Sequence, residues 1–175
     1  ISARMTDLTS AGVPGVAPDD HVRGQGPEAI LYVDLACPHC AATWVAIREL
    51  PMHLCVRHFP VASKHPRAPA LHGAAEAAGL QRPEAFWEIC DSIYLDQGRI
   101  DDPHLWQRAR RLGLDLERFE RERRSDRVAA RVRRDFETGI RAGVAGTPTA
   151  FAAGERIADR VAGRLADLAS LRSPP

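Results

Sequence analysis

Two cysteines separated by two residues, Cys37-Pro38-His39-Cys40, sit where an apolar run gives way to a helical pattern. The run is Ala29 to Ala36, "AILYVDLA", short and rich in strand-favouring residues. A helix-compatible stretch follows from Cys40 to Leu50, with Trp44, Val45 and Ile47 on its apolar side, and Pro51 ends it. His53 to Phe59, "HLCVRHF", reads as a second strand closed by Pro60. Strand, helix, strand in this order is the pattern of a parallel βαβ unit. The cysteine pair therefore falls at the end of a strand and the entrance of a helix.

That position dictates chemistry. At a helix entrance the free backbone N–H groups and the helix dipole favour a thiolate on Cys37. Two intervening residues put the Cys40 sulfur one turn away, close enough for a small disulfide ring. A stabilised thiolate makes Cys37 a good leaving group, so the pair would oxidise other dithiols. His39 adds a local positive charge or a hydrogen bond near that thiolate. Pro38 stiffens the turn and removes one donor. Cys40 is expected to be the more buried thiol, the one that resolves a mixed disulfide.

The 175 residues and 19.2 kDa fit one domain of ordinary size. A net charge of +1 gives no bulk reason to expect a nucleic-acid partner. Four cysteines are too few for a disulfide-stapled scaffold. No apolar run reaches the roughly eighteen residues of a membrane span. Residues 1–27 carry scattered Gly and Pro without apolar period and read as an N-terminal arm or linker. The start, Ile1 to Gly15, lacks the apolar core of a signal peptide.

The middle of the chain is helical. Ala68 to Ala78 is alanine-rich, Pro83 opens "AFWEICDSIY", and Asp102 before Pro103 signals a third helix bearing Leu105, Ala109 and Leu112. Leu116 and Phe119 suggest a short fourth. Ser125 caps a fifth, where Val128, Val132, Phe136 and Ile140 recur every four residues. Arg118 to Arg134 holds eight arginines and three acids, read as a solvated face. Two short strands, Thr149 to Ala153 and Arg156 to Val161, flank Gly154, and a helix from Ala162 to Leu171 closes the chain. In Gly146-Thr147-Pro148, a proline just before a strand would be accommodated by a cis Thr147–Pro148 bond, the alternative being an ordinary loop proline that starts the strand. Such a loop would lie against the Cys37 sulfur and offer the Thr147 backbone to a bound peptide.

These residues together resemble the DsbA-like branch of the thioredoxin superfamily. The resemblance rests on "CPHC" and "GTPTAF", with "DHVRG" at 20–24, "RHFP" at 57–60 and "FWEICD" at 86–91. It extends to bacterial DsbA-like domains appended to sodium/proton antiporter-like membrane proteins. It implies an α/β, thioredoxin-like fold, βαβ then ββα, with an inserted helical domain. The parts are then 28–66 and 126–171 for the thioredoxin-like halves, 67–125 for the insertion, and 172–175 for a tail. The family's nucleophile falls on Cys37, its resolving cysteine on Cys40 and its cis-proline on Pro148. Asp34 matches an acid of the antiporter-linked branch, either a buried proton acceptor or a strand-end surface group. The chain departs from the family at Leu31, where the periplasmic oxidases carry a buried glutamate, at Leu35 and Ala36 just before the motif, and at Cys90, where close relatives often carry histidine.

The expected function is thiol–disulfide exchange on protein or peptide thiols, with Cys37, Pro38, His39, Cys40, Thr147 and Pro148 as site residues, no organic cofactor, no metal and no nucleic acid. A redox-recycling partner must reset the pair, and a membrane domain in a longer chain is a second candidate partner. An oxidant fits a periplasmic or other extracytoplasmic location better than a reducing cytosol. Other readings stand beside this one: a reductase, isomerase or low-molecular-weight-thiol enzyme on the same fold, a non-catalytic peptide-binding module, and a zinc half-site completed by His39, Cys55 or Cys90. Spacing alone does not decide whether Cys55 and Cys90 pair.

Overall fold

The computed structural model describes residues 12–13 and 15–171, so residues 1–11 and 14 of the arm and the tail at 172–175 lie outside the described residues. Five strands form one sheet in the order β1-β3-β2-β4-β5. They are β1 (His21–Arg23), β2 (Glu28–Val33), β3 (His53–His58), β4 (Thr149–Ala152) and β5 (Glu155–Ile157). β2 and β3 run parallel, with Ala29 opposite Leu54 and Leu31 opposite Val56. The other pairings are antiparallel. A parallel pair needs a crossover, and α1 (Pro38–Ile47) supplies it.

Strand alternation divides the core. Ala29, Leu31 and Val33 point to the face shared with Trp44, Val56 and Leu165, while Ile30 and Tyr32 point to the opposite face with Cys55, Phe59 and Val144. Central strands buried on both sides read as continuous apolar runs, as β2 does. Four helices follow β3: α2 (Ala68–Gln81), α3 (Pro83–Leu95), α4 (Asp102–Arg111) and α5 (Leu116–Arg123). α6 (Asp126–Arg141) brings the chain back to the sheet, and α7 (Val161–Ser170) follows the β4–β5 hairpin. The expected α/β architecture, βαβ and then ββα with helices between, is present.

Three expectations change, and the open question of Cys55 and Cys90 closes. His21–Arg23 belongs to the sheet as an edge strand paired with β3, although the composition of 1–27 reads as linker. Three residues are too few to show a period. The cap of α4 is Asp101, whose carboxylate accepts from His104 N, and Asp102 sits in the first turn. The arginine run is not uniformly solvated. The Arg123 side chain is only 4% exposed and pairs with Glu120 and Asp102, while Arg131 pairs with Asp135. Cys55 and Cys90 are both free thiols. They lie in the two separate core clusters, so neither pairs with the other.

Candidate active site

Cys37 is the N-cap of α1, with extended backbone (φ −81°, ψ 124°), and Pro38 occupies the first helical position. A proline there costs nothing, because its missing N–H has no helical partner anyway. The turn before the helix is tied on several sides. Cys37 N donates to Asp34 O at 3.1 Å, and Tyr94 Oη donates to the same oxygen at 3.2 Å. Gln97 Nε2 donates to Leu35 O at 3.0 Å and to Cys37 O at 3.1 Å. The helical segment thus clamps the strand-to-helix turn that carries the cysteines.

The Thr147–Pro148 peptide bond is cis. The Cys37 Sγ donates to Thr147 O at 3.7 Å, across 110 residues of sequence. Thr149 Oγ1 donates to Gly146 O at 2.7 Å and closes that loop on itself. Beside it opens a groove of about 820 Å³, lined by Cys37, His39, Phe59, Val61, Ile140 and Thr147 among others. Ile140 is 53% exposed there, an apolar surface next to a sulfur. Pro38 and His39 are exposed.

The two thiols occupy different electrostatic environments. The Cys40 thiol hydrogen-bonds to the Cys37 sulfur and, against the opposing effect of burial, draws the Cys37 pKa down to about 5. The Cys40 and His39 backbone amides and the Thr147 side chain add to the same effect. These amides belong to the first turn, whose N–H groups have no helical acceptor. Cys40 is shifted the other way, far above the ordinary thiol range, by burial and by the adjacent Cys37. Its Sγ accepts from Asp34 N at 3.5 Å. Burial also pushes Cys55 up to about 12 and Cys90 well above its ordinary value. One of four cysteines is therefore poised as a thiolate at neutral pH.

All six residues singled out in the sequence come together here, with His39 contributing its backbone amide. Sequence reasoning missed Tyr94, Gln97 and His72, for which no local pattern exists. Asp34 is fully buried, which removes the surface-group reading. Its Oδ1 accepts from Ala36 N and its Oδ2 from Val61 N, both at 2.9 Å. Burial raises its pKa, but His72 and these two amides outweigh burial and hold it below the ordinary value. Trp44 is core rather than groove wall. It is 1% exposed, its Nε1 donates to Asp91 at 2.6 Å, and it stacks near Trp87.

Comparison with known proteins fits this geometry. The model of the DSBA-like thioredoxin domain family matches residues 57–168, a stretch that begins beyond the paired cysteines. The structure of α-DsbA2 from Wolbachia pipientis, a thiol-disulfide exchange protein, superposes with a TM-score of 0.76 at 17% identity, covering 88% of this chain and 87% of that one. A thioredoxin-like oxidoreductase from Silicibacter pomeroyi superposes with a TM-score of 0.74 at 18% identity, covering 90% and 95%. A curated relative, the Na(+)/H(+) antiporter NhaA 1 of Salinispora arenicola, is 39% identical over 150 residues. That match takes in 81% of this chain, which spans only 23% of the relative's length. Fold and family match define the class as a DsbA-like thioredoxin domain, here carrying a pair of thiols at the α1 N-terminus. The chain belongs to the DSBA-like thioredoxin domain family.

Proposed function

We propose that the chain is a dithiol oxidase of protein or peptide thiols, working through a Cys37–Cys40 redox disulfide. The observation that carries the reading is the Cys37 sulfur at the α1 N-terminus, held against the Thr147–Pro148 loop with its pKa near 5. A substrate thiolate attacks Cys37 in the disulfide, and the Cys37–Cys40 bond breaks as the mixed disulfide forms. The substrate's second thiolate then attacks its own sulfur in that bond and expels Cys37, which leaves readily because its thiolate is stable. The substrate gains a disulfide, and the chain keeps two electrons as a dithiol. Oxidation by a recycling disulfide runs through Cys37 in the opposite sense, with Cys40 resolving. The Thr147 backbone lies alongside as a peptide guide, and Ile140 and Phe59 offer an apolar wall to the substrate. We place the domain outside the cytoplasm, where such a disulfide persists. In a longer chain like the antiporter-named relatives, it would serve beside a membrane domain.

The test is a redox titration in glutathione buffers with thiol trapping. A potential above about −180 mV, the value of protein disulfide isomerase, is the expected result; one as low as thioredoxin's, about −270 mV, would make the chain a reductase.

A further inference from the structure

A second depression, of about 570 Å³, adjoins the groove already described. His39 and Thr43 border it from α1, Thr147 from the cis-proline loop, Arg156 from β5, and Arg160 and Gly163 from the entrance of α7. The two depressions share His39, Ala145, Gly146 and Thr147. They meet beside Cys37, whose Sγ lies 3.7 Å from Thr147 O. A peptide drawn along the loop with its cysteine at Cys37 thus has Phe59 and Ile140 in one depression and the two arginines in the other.

Local structure sets the charge there. Successive side chains of a strand alternate between its faces, so Ile157 turns into the core while Arg156 stays exposed, opposite Phe151. Arg156 Nη1 donates to Gly143 O at 2.8 Å. That bond holds the guanidinium near the loop, leaves its charge uncancelled and leaves its other N–H groups for a ligand. Arg160 is the exposed N-cap of α7, and its side chain caps nothing. The neighbouring acids are engaged elsewhere: Glu155 lies 2.5 Å and Asp159 3.8 Å from Arg164. Among the described residues no carboxylate pairs with Arg156 or Arg160. The chain has 23 Asp and Glu, yet none lines either depression, where Arg156, Arg160 and Lys64 stand instead. With a net charge of only +1, this excess of positive charge is local to the reacting sulfur.

We propose that Arg156 and Arg160 are specificity residues that select peptide thiols carrying an Asp or Glu close to the reacting cysteine. The proposal rests on the reading of Cys37 as the exchanging thiol, and it names the substrate class of that site. An extended peptide advances about 3.3 Å per residue and turns alternate side chains to the same side. A carboxylate two positions from the cysteine therefore faces the protein as the cysteine does. The planar guanidinium fork matches a carboxylate with two parallel N–H donors. Opposite charge raises the rate of encounter and fixes the direction in which the peptide lies. The exchange at sulfur is that given above: two electrons and two protons pass from the peptide thiols to the Cys37–Cys40 pair, and the peptide leaves with the disulfide.

The test follows reduction of the oxidised 175-residue chain by dithiol peptides, with acid quench and mass readout. The peptides come in pairs, with Glu or Gln two positions before each cysteine, or two positions after. In one of these two placements the Glu peptide is expected to react about fivefold faster than its Gln partner at about 0.1 M salt. The preference should fade at about 1 M, where the screening length falls from roughly 10 Å to roughly 3 Å. Arg156→Gln and Arg160→Gln should each lower the Glu-to-Gln ratio, and together abolish it. The ratio is taken on each protein separately, so a change at the thiol itself cancels. Arg160→Gln decides the matter if Arg156→Gln shifts the loop, because Arg160 holds no other group. Arg160→Glu should turn the preference toward a Lys peptide. Equal rates for Glu and Gln peptides in both placements would overturn the proposal. So would a rate loss confined to reduction by glutathione, which would assign the arginines to a small thiol. A disulfide that neither peptide opens would overturn the exchange reading itself, whereas one that both open alike sinks only the selection.

Discussion

At the scale of single residues, two thiols one helical turn apart differ in what surrounds them. Cys37 faces donors: the Cys40 S–H, two first-turn amides and the Thr147 side chain. Cys40 has burial on all sides and one weak backbone donor from Asp34. Lowering a thiol from its usual value of about 8.5 to about 5 favours the thiolate by on the order of 5 kcal/mol. The largest share comes from the Cys40 thiol itself, so Cys40→Ala should move the midpoint of Cys37 alkylation upward by a unit or more of pH, roughly tenfold in thiolate affinity for its proton. Iodoacetamide rates measured from pH 4 to 9 on both proteins check this. An unmoved midpoint would mean that the helix amides alone hold the thiolate.

At the scale of elements, the site depends on close approach between α6 and the sheet. A Cβ built on Gly139 would lie 2.8 Å from two ring carbons of Phe59 and 3.0 Å from one of Tyr32. Those rings anchor the second core cluster below the groove. Gly139→Ala should therefore destabilise the fold by about 1–3 kcal/mol, read as a lower urea midpoint with unchanged slope. The existence of α6 was legible from Val128, Val132 and Phe136, which recur at helical spacing, although its buried positions are Val128, Asp135 and Gly139 and Ile140 of the same stripe is exposed. The strand–helix entrance of Cys37 was legible for the same local reason. The rest was written nowhere locally. Asp34 is buried because α2 supplies His72 and the loop after β3 supplies the Val61 amide. β1 exists because β3 offers it an edge. The phrases "DHVRG" and "RHFP" contain His21 and His58, yet only the folded chain brings both against Glu76.

At the scale of the whole molecule, the redox state and the stability of the fold are linked. A group whose folded pKa is depressed adds stability that is fully present above its unfolded pKa and is lost as pH falls through the folded value. For Cys37 the window runs from about 8.5 down to about 5. The thiolate thus stabilises the reduced fold by about 3 kcal/mol at pH 7 and about 4 kcal/mol at pH 8. Against it stands the disulfide, which closes a four-residue loop and removes only about 2 kcal/mol of freedom from the unfolded chain. The thiolate term wins above about pH 6.4 and loses below it. Urea unfolding of the oxidised and reduced chains from pH 5 to 8 tests the oxidant reading most directly. The reduced chain should be the more stable by roughly 2 kcal/mol at pH 8, with the order reversing near pH 6. An oxidised chain that is the more stable throughout this range would mark the Cys37–Cys40 bond as a structural disulfide and contradict the account.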